Sequence, residues 1–214
     1  MCKIETRVYI GNHLSQAGAY PSVAESMAPL LESEGLRLRL VSRRRNKLWR
    51  MWDMLGAVWR YGRRESPLVL DVYSTLNFYY AVAVAALCRL LRIPYVCVLH
   101  GGGLPGRLRR HPGLSRRVFG GARRLLAPSG YLRHAFAEAG YAPEVIPNFI
   151  RIERYPYRER GAISGGPRIL WVRAFSRIYN PSMAVEALRL LRETHPEARL
   201  CMVGPDKGDG SRAA

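Results

Sequence analysis

Short apolar runs alternate along this chain with longer segments in which apolar residues recur every three or four positions. The short runs have the length and composition of β-strands and lie at 7–11, 36–42, 67–72, 95–99, 123–127, 144–146, 168–173 and 198–204. The longer segments have helical periodicity and lie at 21–34, 47–61, 77–92, 129–139 and 181–194. This alternation predicts an α/β fold with a Rossmann-like, doubly wound parallel sheet. The run at 95–99 is apolar throughout and is expected at the centre of that sheet.

The pattern divides the chain into three parts. Residues 1–148 form the first predicted domain, and 149–166 have the prolines, charges and glycines of an interdomain linker. Residues 167–214 contain one strand–helix–strand unit, whereas a parallel sheet needs several strands with both faces covered. We therefore expect this last part to be the truncated, incomplete start of a second Rossmann-like domain, and the chain to be inactive by itself.

Charge is the next strong feature. Lysine and arginine total 34 against 16 aspartates and glutamates, a formal net charge of +18. A high-GC genome would give such an arginine bias without any function; the alternative is an anionic partner, such as a membrane surface, a sugar nucleotide or a nucleic acid. The four cysteines are widely spaced and the longest apolar run, 78–88, is too short to span a bilayer. These features predict a cytoplasmic protein.

The segment 43–64 combines large apolar residues with many basic ones. Leu48, Met51, Trp52, Leu55 and Trp59 share one face of a predicted helix, and Asp53 is the only acid among many arginines. Such a helix can lie peripherally on the inner face of the plasma membrane, or its apolar face can pack on the sheet, and the two interpretations can hold at different depths. The residues expected to contact a membrane are Arg43, Arg44, Arg45, Arg50, Trp52 and Trp59.

Ligands of parallel sheets bind beyond the carboxyl ends of the strands. In this chain, the loops at those ends are 12–18, 73–75, 100–103 and 128–129. His100 is followed by three glycines, which let backbone amides approach a ligand, and a histidine there can position a hydroxyl. A turn with a hydrogen-bonded histidine is the structural alternative. The five histidines lack metal-ligand spacing, and Gly11 and Gly18 alone make no dinucleotide fingerprint.

Several segments, taken in order, resemble the motifs of retaining glycosyltransferase family 4, whose GT-B architecture has two facing Rossmann-like domains. LAPSGYL at 126–132 resembles "vaPSeyl", and VIPNFI at 145–150 resembles "vIPNGID" at the entry to the second domain. LWVR at 170–173 resembles the strand that carries "vGR". Residues 184–191 followed by 199–204 resemble "Allk…axLxivG". The resemblance spans nearly the whole chain.

The resemblance implies a hexosyltransferase-type enzyme that transfers a sugar from a UDP- or GDP-linked donor to a glycan or lipid-linked acceptor with retention of configuration. It implies no cofactor and no obligatory metal. His100 then corresponds to the histidine near the acceptor and the reacting sugar, and Gly18 and Arg173 to contacts with the donor phosphates. The expected acceptor or cleft residues are Asn12, Ser15, Gly101, Gly102, Gly103 and Ser129.

The chain departs from the family pattern in places. Val172 precedes Arg173 where the family has glycine, Phe149 replaces another glycine, and 178–181 (IYNP) stand where a lysine-glycine is usual. The family's paired glutamates would lie beyond Ala214. The alternative function is a non-catalytic basic domain that binds anionic membrane or nucleic acid, although no RNA-stacking motif or recognition helix is evident. A continuation of the reading frame with Glu-x7-Glu would favour the enzyme.

Overall fold

The computed structural model describes residues 5–15, 21–150, 152–157, 159 and 166–212. The chain forms two compact units, Met1–Ile150 and Arg151–Ala214. The division lies within the linker predicted at 149–166. Each unit is described by itself.

The first unit is a six-stranded parallel sheet with helices between its strands. The strands are β1 (Glu5–Ile10), β2 (Leu36–Val41), β3 (Leu68–Tyr73), β4 (Tyr95–His100), β5 (Arg124–Ala127) and β6 (Glu144–Val145). The helices are α1 (Val23–Ser33), α2 (Lys47–Tyr61), α3 (Phe78–Leu90), α4 (Leu104–Arg110), α5 (Pro112–Phe119) and α6 (Gly130–Glu138). The strand order is β2-β1-β3-β4-β5-β6 and every pairing is parallel. The predicted Rossmann-like α/β fold is confirmed.

The core of this unit is built on β3 and β4, in the interior of the sheet. In β4, Tyr95, Cys97 and Leu99 are at most 1% exposed, and the residues between them are half-buried. Both faces of the strand are therefore covered, as its continuous apolar sequence predicts. Each fully buried side chain of this size contributes about 1.5–3 kcal/mol to folding.

Polar side chains fix where several helices begin. Ser22 caps α1 in a capping box with Glu25, and Asn46 caps α2 by accepting from the amides of Leu48 and Trp49. Such caps satisfy amides that have no partner within the helix, and each contributes about 1 kcal/mol. These starts place α1 and α2 directly after the carboxyl-end loops of β1 and β2.

Helix α2 packs with a different face from the one that its apolar residues indicate. Leu48, Trp52 and Trp59 are exposed by 75, 68 and 73%, so the interpretation of this face as core is wrong for these three. The other two residues of the predicted face, Met51 and Leu55, are half-buried, and Leu55 packs against the core. The residues that α2 buries instead are Arg50, Met54, Ala57 and Val58. The reason is that Ala57 and Val58 are small enough for close approach to the core, and Arg50 finds internal hydrogen-bond partners.

The second unit contains β7 (Arg168–Val172), α7 (Pro181–Leu191) and β8 (Arg199–Val203). The two strands pair in parallel from Arg168 opposite Arg199 to Val172 opposite Val203. Among its described residues, only Pro181 and Ala198 are buried. Leu170, Val172 and Val203 are more than half exposed, so one face of this two-stranded sheet is open.

Candidate functional site

A buried carboxylate organises the carboxyl edge of the sheet. The Asp71 side chain on β3 is 2% exposed and lies 2.7 Å, through Oδ1, from Nε2 of His100 at the end of β4. The Tyr9 hydroxyl on β1 donates to the same oxygen at 2.7 Å, and the Tyr73 hydroxyl donates to Oδ2 at 3.4 Å. Three neighbouring strands thus converge on one carboxylate, which is satisfied because it accepts from several donors.

The network fixes the imidazole of His100. Its ring stacks on Tyr73 with centroids 4.8 Å apart, and its side chain is 16% exposed. A neutral ring that donates through Nε2 to Asp71 keeps Nδ1 as an acceptor. Burial, and then the charge of Asp71, raises the pKa of the Tyr9 hydroxyl, as it does for Tyr73. Both phenols therefore remain hydrogen-bond donors at neutral pH. His100 is a hydrogen-bonding group with a fixed orientation beside the loop 101–103.

Close backbone packing explains two glycines here. A Cβ on Gly11 would collide with the Asp71 carboxylate, and one on Gly103 would lie 2.8 Å from the Ser74 hydroxyl. Gly101 has φ +87°, a left-handed conformation that favours glycine. Gly102 has neither restriction, and its carbonyl accepts from Tyr131 at 3.4 Å. Close packing at Gly103 and the backbone conformation of Gly101 therefore explain two of the three glycines after His100.

The first loop is tied to the start of α1. Nδ1 of His13, a fully buried residue, lies 2.9 Å from Oγ of Ser22, and the Ser15 hydroxyl donates to Glu25 at 2.5 Å. Burial lowers the pKa of His13, with partial compensation from Asp71 and Glu25. Nε2 of His13 is buried and has no partner among the described residues. Gly18 lies outside the described residues.

Glu25 changes what the start of α1 offers to a ligand. Its carboxylate accepts from the Ser22 amide at 2.7 Å and stands in the first turn of the helix. Partial burial acts to raise its pKa, but hydrogen bonds from Ser15 and Ser22 outweigh that effect and the pKa is lowered. An ionised carboxylate therefore occupies this helix N-terminus, where a donor pyrophosphate would meet like charge.

Other sequence-predicted residues have structural partners. Ser129 caps α6 by accepting from the Leu132 amide at 3.4 Å. Asn12 accepts from Arg50 at 3.1 Å through its side-chain oxygen. Arg50 is 7% exposed and also donates to the carbonyls of Arg44 and Arg45, so the expectation that Arg50 contacts a membrane is corrected. Arg43, Arg44, Arg45, Trp52 and Trp59 are exposed.

Two residues of this edge were missed by the sequence analysis. Asp71 has a signal in the sequence, because an acid within the apolar run LVLDVY is unusual for a buried strand. Arg107 donates from Nε to the Ser74 carbonyl at 2.8 Å, and its guanidinium lies 4.6 Å above the Phe78 ring. Nη1 of Arg107 is buried without a partner among the described residues. Both residues flank the loop that His100 begins.

In the second unit, Arg173 directly follows β7. Its guanidinium lies 4.9 Å from the centre of the Tyr179 ring, and its amide donates to the Val203 carbonyl. A cavity of about 260 Å³ opens at the start of α7, lined by Arg177, Asn180, Pro181, Ser182, Gly210 and Ser211. Asn180, with φ 47°, gives α7 no side-chain cap. The first amides of α7 are therefore not occupied by such a cap.

The described ranges contain neither a cluster of metal-ligating side chains nor a membrane-spanning helix. No group of three or more histidine, cysteine, aspartate or glutamate side chains there could hold a metal ion. No helix in the described part of the chain is long and apolar enough to cross a bilayer.

The fold and the site together define a Rossmann-like domain with a histidine–carboxylate network at the carboxyl edge of its sheet. The family model Glycosyltransferase Family 4 matches residues 8–154, which is more than half of the chain. The chain therefore belongs to glycosyltransferase family 4, and the suspected family is confirmed.

A solved structure supports the fold. It is a protein from Listeria monocytogenes assigned as a UDP-N-acetylglucosamine 2-epimerase, with a TM-score of 0.50 and 13% identity. The match covers 100% of this chain and 65% of that one, so this chain spans less than two thirds of its length. At this identity the similarity concerns the GT-B-type fold alone. A search of curated proteins gave no match.

Proposed function

We propose that the protein is a hexosyltransferase-type glycosyltransferase that moves a sugar from a UDP- or GDP-linked donor to a glycan or lipid-linked acceptor with retention. Family membership supports sugar transfer. The observation that carries the choice of site is the hydrogen bond between His100 and buried Asp71 at the carboxyl edge of the sheet.

In this reaction, the bond between the anomeric carbon and the donor phosphate oxygen breaks. A bond from the acceptor oxygen to the same carbon forms on the same face of the sugar. The acceptor's proton passes to the departing phosphate oxygen, so atoms and charge balance. No metal or cofactor is assigned a step.

His100 has the role of positioning the reacting hydroxyls in this proposal. Asp71 holds the ring through Nε2, and stacking on Tyr73 restricts its rotation, so the imidazole is oriented before substrate binds. Because His100 is partly exposed whereas Asp71 is buried, the histidine is the member of the pair that substrate can reach. The loop 101–103 would line the acceptor site.

The donor phosphates are assigned to the second unit. Arg173 offers a guanidinium, and the N-terminus of α7 offers amides and the positive end of a helix dipole. The carboxylate of Glu25 makes the start of α1 less suited to this role. The protein is proposed to act at the cytoplasmic face of a membrane, where a reducing environment suits its free cysteines.

The test measures transfer of labelled sugar from a panel of UDP- and GDP-hexoses to membrane-extracted glycans and lipids. It uses the purified 214-residue chain. We expect little turnover by the chain alone, because the described second unit leaves one sheet face open. Clear transfer by the chain would show that its second unit is sufficient.

The matched variants are His100→Ala and His111→Ala, since His111 is exposed on the link between α4 and α5. We expect His100→Ala to lower kcat about a hundredfold, the loss that a misplacement of about 1 Å can cause, and to change folding stability far less. His111→Ala should retain wild-type turnover. Equal turnover in both variants would remove His100 from the site.

A further inference from the structure

The exposed side of α2 carries large apolar residues within a strongly basic segment. Leu48, Trp49, Trp52 and Trp59, here called the tryptophan face, are exposed by 75, 68, 68 and 73%. Three of the chain's four tryptophans therefore stand on one helix. The buried residues of α2 are Arg50, Met54, Ala57 and Val58, so the four residues of the tryptophan face lie outside the core.

Positive charge is concentrated in the segment that carries this face. The exposed basic residues of the segment are Arg43, Arg44, Arg45, Lys47, Arg60, Arg63 and Arg64. Within 43–64, Asp53 is the only acid. An apolar patch that carries tryptophans and has cations on both sides of it in the sequence complements the boundary between anionic headgroups and acyl chains. A folded protein partner of equal size would need a comparably acidic rim around an apolar centre.

We propose that the tryptophan face inserts into the interface of an anionic bilayer while the surrounding arginines contact lipid phosphates. This rests on the proposed function in one respect: it names the membrane as the place where a lipid-linked acceptor is held. Arg50 links the docked helix directly to the first loop. Its guanidinium joins the carbonyls of Arg44 and Arg45 to the side chain of Asn12 in the first loop.

Docking through α2 would therefore bring the first loop close to the lipid surface. Helix α2 begins immediately after the loop at the carboxyl end of β2, so Leu48 and Trp49 lie at the same end of the sheet as His100. The lipid tail of an acceptor would remain in the bilayer while the polar end of the acceptor reaches His100. Arg50 is thus assigned an internal positioning role, distinct from its exposed neighbours.

The experiment uses tryptophan emission in a Trp171→Phe background, in which Trp49, Trp52 and Trp59 are the only tryptophans. Vesicles of phosphatidylglycerol or phosphatidylcholine, with or without brominated acyl chains, are added without any sugar nucleotide. We expect a blue shift and bromine quenching with phosphatidylglycerol, and much weaker effects with phosphatidylcholine or at high salt. Unchanged emission with both lipids would overturn the proposal.

Paired variants separate the apolar and charged contributions, with sedimentation of vesicles as the readout. Trp52→Ser with Trp59→Ser should weaken binding to phosphatidylglycerol vesicles about tenfold or more, whereas Leu90→Ser, equally exposed on α3, should not. Arg43→Glu, Arg44→Glu and Arg45→Glu together should weaken binding by more than about tenfold. The control with equal charge change is Arg116→Glu, Arg117→Glu and Arg133→Glu, all exposed on α5 and α6.

The outcomes also distinguish this proposal from the proposed function. Vesicle binding without glycosyl transfer would support the docking surface without supporting the enzyme. Transfer to a soluble acceptor by a protein that does not bind vesicles would support the enzyme and count against the docking surface. Self-association without lipid that the tryptophan variants abolish would overturn the proposal and assign the face to a second copy of the chain.

Discussion

The two units of this chain use the same strand–helix–strand repeat but differ in how much of it they bury. In the first unit, β3 and β4 lie between further strands and under helices, and Leu70, Val72, Cys97 and Leu99 are at most 1% exposed. In the second unit, Leu170 and Val172 occupy the same kind of strand and are 65 and 63% exposed. Apolar strand sequence alone therefore does not determine burial; neighbouring elements must cover both faces.

The largest expected effect is a difference in the cost of one substitution between the units. Leu70→Ala deletes a side chain that is 1% exposed, so it should lower the free energy of unfolding by about 2–5 kcal/mol. Leu170→Ala removes the same atoms from an exposed position and should cost no more than about 0.5 kcal/mol. Urea unfolding followed by circular dichroism measures both. Equal costs would mean that the open face of β7 is covered in solution.

A second prediction concerns the buried carboxylate. Asp71→Asn replaces an oxygen that accepts hydrogen bonds with an amide nitrogen that donates them, so one of the Tyr9, Tyr73 and His100 contacts must be lost. We expect the free energy of unfolding to fall by about 1–3 kcal/mol. In the active enzyme, kcat should fall more than KM rises, because His100 loses its orientation.

The matched control for this substitution is Asp53→Asn on the exposed side of α2. It removes the same charge without breaking a buried network, and its effect should stay within about 0.5 kcal/mol. If Asp71→Asn were as mild as Asp53→Asn in stability and in kcat, the network would not position His100.

Most of the fold of the first unit was predictable from its sequence. Strand and helix periods differ clearly, and the apolar run at 95–99 became an interior strand. The face of α2 was not predictable in this way. The periodicity of apolar residues identifies an amphipathic helix. It does not show which face packs on the core when the exposed face carries tryptophans and the buried face carries an arginine.

The site was predictable only in part, for a related physical reason. Sequence places His100 at a strand end, because strand ends and glycines are local signals. The partner of His100 is on another strand, and register decides the pairing: Tyr73 lies opposite His100, which brings Asp71 within reach. Likewise, the contact of Arg50 with Asn12 joins residues far apart in the chain. Such contacts depend on tertiary packing, which one sequence does not encode in a local pattern.

The smallest expected effect is a pH dependence specific to the first unit. Burial lowers the pKa of His13 below its ordinary value of 6.5, so the folded chain binds this proton less readily than the unfolded chain. Above about pH 6.5 neither state is protonated and His13 adds no pH dependence. Below that pH the unfolded state gains the proton first. Stability therefore falls on acidification, by at most about 1.4 kcal/mol per pH unit, until the folded pKa is reached.

Substitutions of His13 and of Ser22, which lies beside its ring, isolate the contribution of His13 to this pH dependence. His13→Gln should flatten the dependence of the unfolding free energy on pH between about 6.5 and 5, the window below the unfolded pKa and above that of most carboxylates. Ser22→Ala removes the 2.9 Å partner of Nδ1 and the cap of α1, so it should cost about 1 kcal/mol. It leaves the ring buried, however, and should keep the wild-type slope. A wild-type slope in His13→Gln would contradict the buried neutral imidazole, because the acid sensitivity would then arise from other groups.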